Sequence, residues 1–353
     1  MATFGRSSRW AGLENLAVGK KPLQASQKPA AVGQKPGIVA QKPTSQITQR
    51  PPLRQPNRIA APKTVASKEI ASLSQSLKKA AISAEQPVEH ADAFSASLLP
   101  PGVPDIDAGD LDEPQMCAQY AQEIFDYMAS LETKWPMTPK FLRLQSSVTP
   151  EMRAILVNWM MMVHQRFQLL QETLFLAVSL TDRFLQVQNV SRSKLQLLGV
   201  SAIFVASKFE EMMPPTLGDM VYVTDGAYQG KEVLRMEQQI LRSLDWSLGR
   251  PLPLHFLRRN SKAAQADVVE HNLAKLVLEL CLLDYPMSWM RPSELAAAAL
   301  YLSLHLFSKE GQQRWGAMMA HYGRYTEEAL QPTVKRMAGL LLDAPKKRPQ
   351  GTV

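Results

Sequence analysis

From about residue 115 onward, apolar side chains recur at steps of three and four, the spacing that gathers them on one face of an α-helix. Tyr120, Ile124, Tyr127, Met128 and Leu131 predict a first amphipathic helix over 115–132. Thr149-Pro150-Glu151-Met152 has the form of an N-cap followed by proline at the first helical position, and opens a helix to about 168. Further helices are predicted over 172–187, 191–211, 216–223 and 230–244, with Pro214-Pro215 as a break. A second set follows over 253–259, 267–283, 292–307, 312–322 and 326–342. Residues 198–208, small and apolar around Ala202 and Ala206, are weakly similar to 295–303 with its run Ala296 to Ala299. Small residues in mid-helix let neighbours approach closely, as a central core helix requires. The pattern therefore predicts an all-α fold of two stacked helical repeats.

Before residue 115 the periodicity disappears, and composition explains why. Residues 1–80 hold 14 Lys or Arg against 2 Asp or Glu, with many Pro, Gln, Ser and Ala. Such a segment cannot bury enough surface to offset the entropy of ordering, so a long disordered tail is expected. Lys21-Pro22, Lys28-Pro29, Lys35-Pro36 and Lys42-Pro43 recur every seven residues. Proline in each unit excludes a coiled coil and predicts an extended spacer, read as a solvated linker. Residues 81–115 reverse the charge, with 8 acidic and no basic residues, and Pro100 to Pro104 reads as a domain boundary. The remaining 238 residues carry 26 basic against 22 acidic, so the net charge of +8 is mostly the tail's and direct nucleic-acid binding is not expected. Cys117 and Cys281 lie 164 residues apart without an amino-terminal apolar segment, which points to a reducing compartment. No apolar run reaches the ~18 residues of a membrane span, so a soluble intracellular protein is expected. The chain divides into a basic then acidic regulatory tail (1–114), two folded parts (115–249 with its leading helix, and 250–345) and a short end (346–353) whose Lys346-Lys347-Arg348 reads as solvated.

Six histidines without metal spacing, no paired Cys-x-x-Cys and no phosphate-cradling glycine loop leave catalysis without a candidate; no metal or cofactor is expected. Binding is the better default. The helix through Met152, Ile155, Trp159 and Met162 is apolar nearly all round, so it is either wholly buried or keeps a face for a partner. Arg153 and Asp182 lie within apolar helices, where either charge alone would be costly, and are expected to form a structural pair. Lys208 and Glu237 lie beside apolar neighbours with their heads free to reach outward. They are either directional anchors for a partner's backbone or a surface ion pair, and the pattern leaves both open.

Several ordered motifs resemble the cyclin box, and 115–345 is similar to a B-type mitotic cyclin. They are Met152-Arg153-Ala154-Ile155-Leu156 with Asn158-Trp159, Asp182-Arg183-Phe184-Leu185, Lys194-Leu195-Gln196-Leu197, Ala206-Ser207-Lys208-Phe209-Glu210-Glu211 and Leu234-Arg235-Met236-Glu237. The run 249–259, from Gly249-Arg250-Pro251 to Arg258-Arg259, is similar to the B-type subgroup in particular. The resemblance implies two tandem five-helix cyclin folds preceded by a helix, and a non-catalytic subunit that activates a cyclin-dependent serine/threonine kinase at G2/M. By that resemblance Lys208 and Glu237 hydrogen-bond the kinase, while Phe209, Leu241, Trp246, Ile124, Tyr127 and, more weakly, Tyr120 pack on it. Met152, Ile155, Leu156, Trp159, Leu195 and Gln196 match the family's docking patch for Arg-x-Leu segments of substrates and inhibitors. Beside that patch Met162 and Arg166 stand where some cyclins have acidic residues, Asn158 replaces Asp, and Asp225 is left as an acidic partner, so docking of basic segments should be weak. Arg50 and Leu53, or Arg9 and Leu13, resemble destruction signals read by the anaphase-promoting ubiquitin ligase. Cytoplasm and nucleus, with centrosome or spindle, are the implied locations. The competing readings are a nucleic-acid-associated factor of cyclin-like fold, suggested by the basic tail, and a scaffold that activates no kinase.

Overall fold

The computed structural model describes residues 98–308 and 314–344; Arg9, Leu13, Arg50, Leu53, the Lys-Pro repeat and residues 346–348 lie outside the described residues. Among the described residues there are eleven α-helices and no strand. A leading helix α1 (Ala121–Lys134) precedes a first repeat of α2 (Pro150–Phe167), α3 (Gln171–Val187), α4 (Leu195–Glu210), α5 (Leu217–Val223) and α6 (Gly230–Ser243). A second repeat comprises α7 (Pro253–Ala263), α8 (Val268–Leu283), α9 (Pro292–Phe307), α10 (Ala317–Gly323) and α11 (Glu327–Asp343).

Each repeat is built around one helix that is buried along most of its length. In α4, 13 of 16 residues are buried, and the Ala296 to Ala299 run does the same for α9. The close approach has a definite cost in side-chain choice: a Cβ on Gly199 would lie 2.7 Å from Leu156 Cδ1 of α2. Thr149 caps α2 by accepting from Met152 N at 3.3 Å, and Gln168 ends it in the left-handed region at φ 52°. The repeats meet through α2 and α8.

Several boundaries differ from expectation: α4 begins at Leu195 after a 3-10 turn rather than at 191, α7 runs on to Ala263 rather than 259, and α10 begins at Ala317 rather than 312. The leading helix begins at Ala121 rather than near 115, because 3-10 turns at Pro114–Met116 and Ala118–Tyr120 are separated by Cys117 at φ 50°. Tyr120 is thus left at the N-cap, outside the helix. Residues 98–114, assigned by composition to the disordered tail, have a defined place. Asp107 is 4% exposed and accepts from Arg259 Nη1 at 2.7 Å and Lys262 Nζ at 2.8 Å, both on α7. Tyr322 of α10 donates its hydroxyl to the Pro104 carbonyl at 2.9 Å. Those partners are more than 150 residues away in sequence, so local composition does not reveal them.

The start of α7 carries a pH dependence. Leu252 N donates to His255 Nδ1 at 3.4 Å, which requires an unprotonated ring nitrogen. Burial, reinforced by Arg258, holds the His255 pKa below its usual 6.5, with Glu172 opposing. The folded value lies below the unfolded one, so this stabilisation is present above about pH 6.5 and lost as pH falls through the folded value. The unfolding midpoint is therefore expected to drop between about pH 7 and pH 5, and His255→Gln to flatten part of that slope. An unchanged slope in the variant would assign the effect to His271 and His321, whose pKa values burial also lowers.

Candidate partner-binding surface

Arg153 and Asp182 are brought together in the core between α2 and α3. Arg153, 1% exposed, donates from Nε and Nη2 to the two Asp182 carboxylate oxygens, each at 2.6 Å. Its remaining Nη1 donates to the Leu282 carbonyl at 2.9 Å. That carbonyl lies in the last turn of α8, where helix geometry leaves acceptors without intrahelical donors. The guanidinium therefore closes the first repeat internally and fastens it to the second.

Lys208 and Glu237 lie on adjacent helices, α4 and α6, and bond to each other. The Lys208 side chain is 41% exposed, and its ammonium also sits 4.1 Å from the Phe204 ring centroid. Glu237 is nearly buried, held against Met236 and Ile240 of the core. A side chain so placed presents a fixed charge pair at the surface with donor capacity on the ammonium not used by its neighbour.

The first repeat and the leading helix also leave bulky apolar residues uncovered. Phe209 ends α4 exposed, and Met212 and Met213, which sequence reading did not select, project almost wholly into solvent. The signal for them was available: two methionines between a helix end and Pro214-Pro215 have no helical face to bury them. Trp246 is 67% exposed and sits on left-handed backbone at φ 56°, directly after Asp245 at φ 49°. A bulky residue in that conformation is held there against about 1–3 kcal/mol of strain, which marks a position worth a functional reading. Leu241 is only partly covered and packs on the core. Tyr120, Ile124 and Tyr127 form an exposed stripe at steps of four and three on and before α1. The other side of α1 is fixed to the second repeat through Phe125, whose ring meets Phe256 edge-on at 6.1 Å.

The six residues matched to a docking patch are not equally available. Leu156 and Leu195 are each 1% exposed and Trp159 is 3% exposed, so all three are core; Gln196 is also buried. Met152 is partly buried, and Ile155 is the matched residue that reaches solvent, joined one face along by the exposed Met162. A helical wheel shows that 152, 155, 159 and 162 share a side but not where α4 covers it. The rim is basic: Arg166 Nη2 donates to the Tyr222 hydroxyl at 3.1 Å and its guanidinium lies 5.1 Å from that ring's centroid. Asp225 is exposed in a left-handed turn.

Among the described residues there is no cluster of three or more His, Cys, Asp or Glu able to hold a metal ion, and no helix is long and apolar enough to cross a membrane. Burial pushes the Cys281 thiol up to about 12, so it stays protonated and unreactive at neutral pH.

Two family models match the chain: the N-terminal domain of cyclins over residues 123–249, and the C-terminal domain of cyclins over 251–352. A G2/mitotic-specific cyclin-B2 of Anguilla japonica is 51% identical over 246 residues, covering 70% of this chain and 61% of that protein. A G2/mitotic-specific cyclin-B of Arbacia punctulata is 48% identical over 263 residues, covering 74% and 64% respectively. The match thus spans less than two thirds of the length of these relatives. A crystal structure of a viral cyclin from herpesvirus saimiri superposes with a TM-score of 0.56 at 20% identity, covering 63% of this chain and 97% of the viral one, a likeness of fold.

Proposed function

Because this chain belongs to the cyclin family, as a B-type member, we propose that it is the regulatory subunit of a cyclin-dependent serine/threonine kinase that controls entry into mitosis. The observation that carries the reading is the uncovered set on the first repeat: the Lys208–Glu237 pair, together with Phe209, Met212, Met213 and the strained, exposed Trp246. Exposed aromatic residues and methionines are the side chains that stable interfaces enrich, and a charge pair adds direction to the contact. Ile124 and Tyr127 on the leading helix, with Tyr120 at its N-cap, extend the proposed contact.

A kinase is competent only when its Lys–Glu pair and metal-binding Asp are both in place, which depends on the position of its C-helix. A rigid helical surface that fits the inward position alone raises the active population in proportion to its differential affinity. The chain itself supplies no catalytic atom in this scheme. The experiment is co-purification with a mitotic cyclin-dependent kinase, followed by phosphate transfer to a generic peptide. Failure to bind or stimulate any such kinase, even in molar excess, would remove the proposal.

Substrate and inhibitor docking is proposed at the α2 face, with Ile155 and Met162 as the reachable contacts over a floor of Leu156, Trp159 and Leu195. Trp159→Ala would remove a core side chain at about 3–5 kcal/mol, so Ile155→Asp is the informative change. It is expected to leave the unfolding midpoint within a few degrees, to lower activity several-fold toward substrates bearing an Arg-x-Leu segment and to spare a short peptide; equal losses on both would exclude docking there. Arg50 with Leu53, or Arg9 with Leu13, is the proposed signal for the anaphase-promoting ubiquitin ligase, tested by the lifetime of a chain lacking residues 1–80 at mitotic exit. Movement between cytoplasm and nucleus, and to centrosome or spindle, is proposed on the same family grounds and is read by imaging through division.

A further inference from the structure

Residues 244–252 join α6 to α7, and they carry Arg250 into the place where the two repeats meet. Arg250 is 8% exposed and its Nε has no hydrogen-bond partner. The two carboxylates whose charge it feels are engaged elsewhere. Asp182 is held at both oxygens by Arg153, and Glu132 accepts from Ser293 N and Oγ at 2.6 and 2.7 Å. Arg183 adds to the imbalance: it is 7% exposed, its Nη1 is also unpartnered, and burial followed by the Arg250 charge lowers its pKa to about 10. Three buried guanidiniums thus stand against two carboxylates, one of which, Glu132, burial itself biases toward its neutral form. A buried charge without a counter-charge is strongly unfavourable.

Arg250 lines a cavity of about 60 Å³ whose walls are mostly apolar, among them Phe175, Val178, Leu252 and Leu278, with the mutually paired Arg153 and Asp182 also on its wall. The hydroxyl of Ser179, on α3, lines the same cavity, and its Oγ is buried without a partner. Two residues that each carry an unsatisfied group able to donate therefore line one space, one from the linker and one from the first repeat. A single water needs only about 10–15 Å³, so the space also admits an ion of chloride size. Water would satisfy the hydrogen bond and leave the charge, whereas an anion answers both.

We propose that this cavity binds a small monovalent anion of chloride size, held by Arg250 Nε and Ser179 Oγ, which neutralises the junction between the two repeats. The bound ion ties the linker to α3 and so favours one fixed arrangement of the repeats. The site is independent of the kinase reading, since it uses none of the residues proposed to contact the kinase.

The test is thermal unfolding of the full chain in sodium chloride and in sodium gluconate at matched ionic strength. Chloride is expected to raise the midpoint saturably by about 2–4 °C over gluconate. Bromide should substitute for chloride, and the protein should broaden the chloride NMR line in a way that bromide competes away. Arg250→Met should abolish both signals. Should that variant not fold, Ser179→Val, which fills the cavity, should abolish the chloride-specific rise instead. Equal midpoints in the two salts, no competable broadening, or a full chloride effect in Ser179→Val would each overturn the proposal and leave a hydrated cavity.

Discussion

Replacing Arg153 by alanine is expected to lower the stability of the chain by about 3–5 kcal/mol, the cost of breaking a buried pair while leaving the partner charged and buried. For a folded body of this size that corresponds to a fall of roughly 6–20 °C in the unfolding midpoint. The size of the effect follows from geometry. Arg153 satisfies both Asp182 oxygens and the Leu282 carbonyl, so its loss leaves three acceptors without that donor. Asp182 is itself 4% exposed, so little of its carboxylate meets bulk water. Calorimetry or a urea titration reads the loss directly. Replacing the two residues together, Arg153→Met with Asp182→Leu, should recover much of it, because apolar groups of similar volume remove the uncompensated charge. A single-variant loss below about 1 kcal/mol would mean that the pair does not hold the repeats together.

The second large effect concerns association. Removing Lys208 and Glu237 together is expected to weaken kinase binding by at least about 30-fold, the loss equivalent to one interface hot spot of about 2 kcal/mol. The same double change should move the unfolding midpoint little. The Lys208 side chain is 41% exposed, and pairs open to solvent contribute about 0–1 kcal/mol. The two groups bond to each other in the unbound chain, so single substitutions should not add, and a double-mutant cycle measures the coupling. Titration of purified kinase, alongside thermal unfolding, separates the two roles. A midpoint lowered by many degrees with affinity intact would make the pair a structural strut.

Much of this arrangement was legible from sequence because helices announce themselves through apolar spacing and caps. Thr149-Pro150 marked the start of α2, and the alanine runs marked the two central helices, since only small side chains allow such approach. The charge pair of Arg153 and Asp182 was legible for a different reason: two ions in apolar helices have few ways to exist. What the chain order hid was the third contact, the Leu282 carbonyl 129 residues away, because a backbone acceptor carries no signature of its own. Exposure was hidden as well. Trp159, Leu156 and Leu195 match a patch in the linear pattern, yet α2 and α4 press them into the core and leave Ile155 outside. The start of α1 was misread because the apolar spacing continues upstream through a stretch that the left-handed Cys117 prevents from being helical.

The attachment of Asp107 to Arg259 and Lys262 also decides how the molecule responds to being pulled. A machine that grips the tail and draws it inward meets this latch before it reaches α1, and the load passes to α7 of the second repeat. Unravelling from that end must first tear an enclosed charge pair from its socket. A fragment cut at residue 115 would lack the latch altogether and would leave Arg259, packed over the Phe125 and Tyr322 rings, without the Asp107 carboxylate.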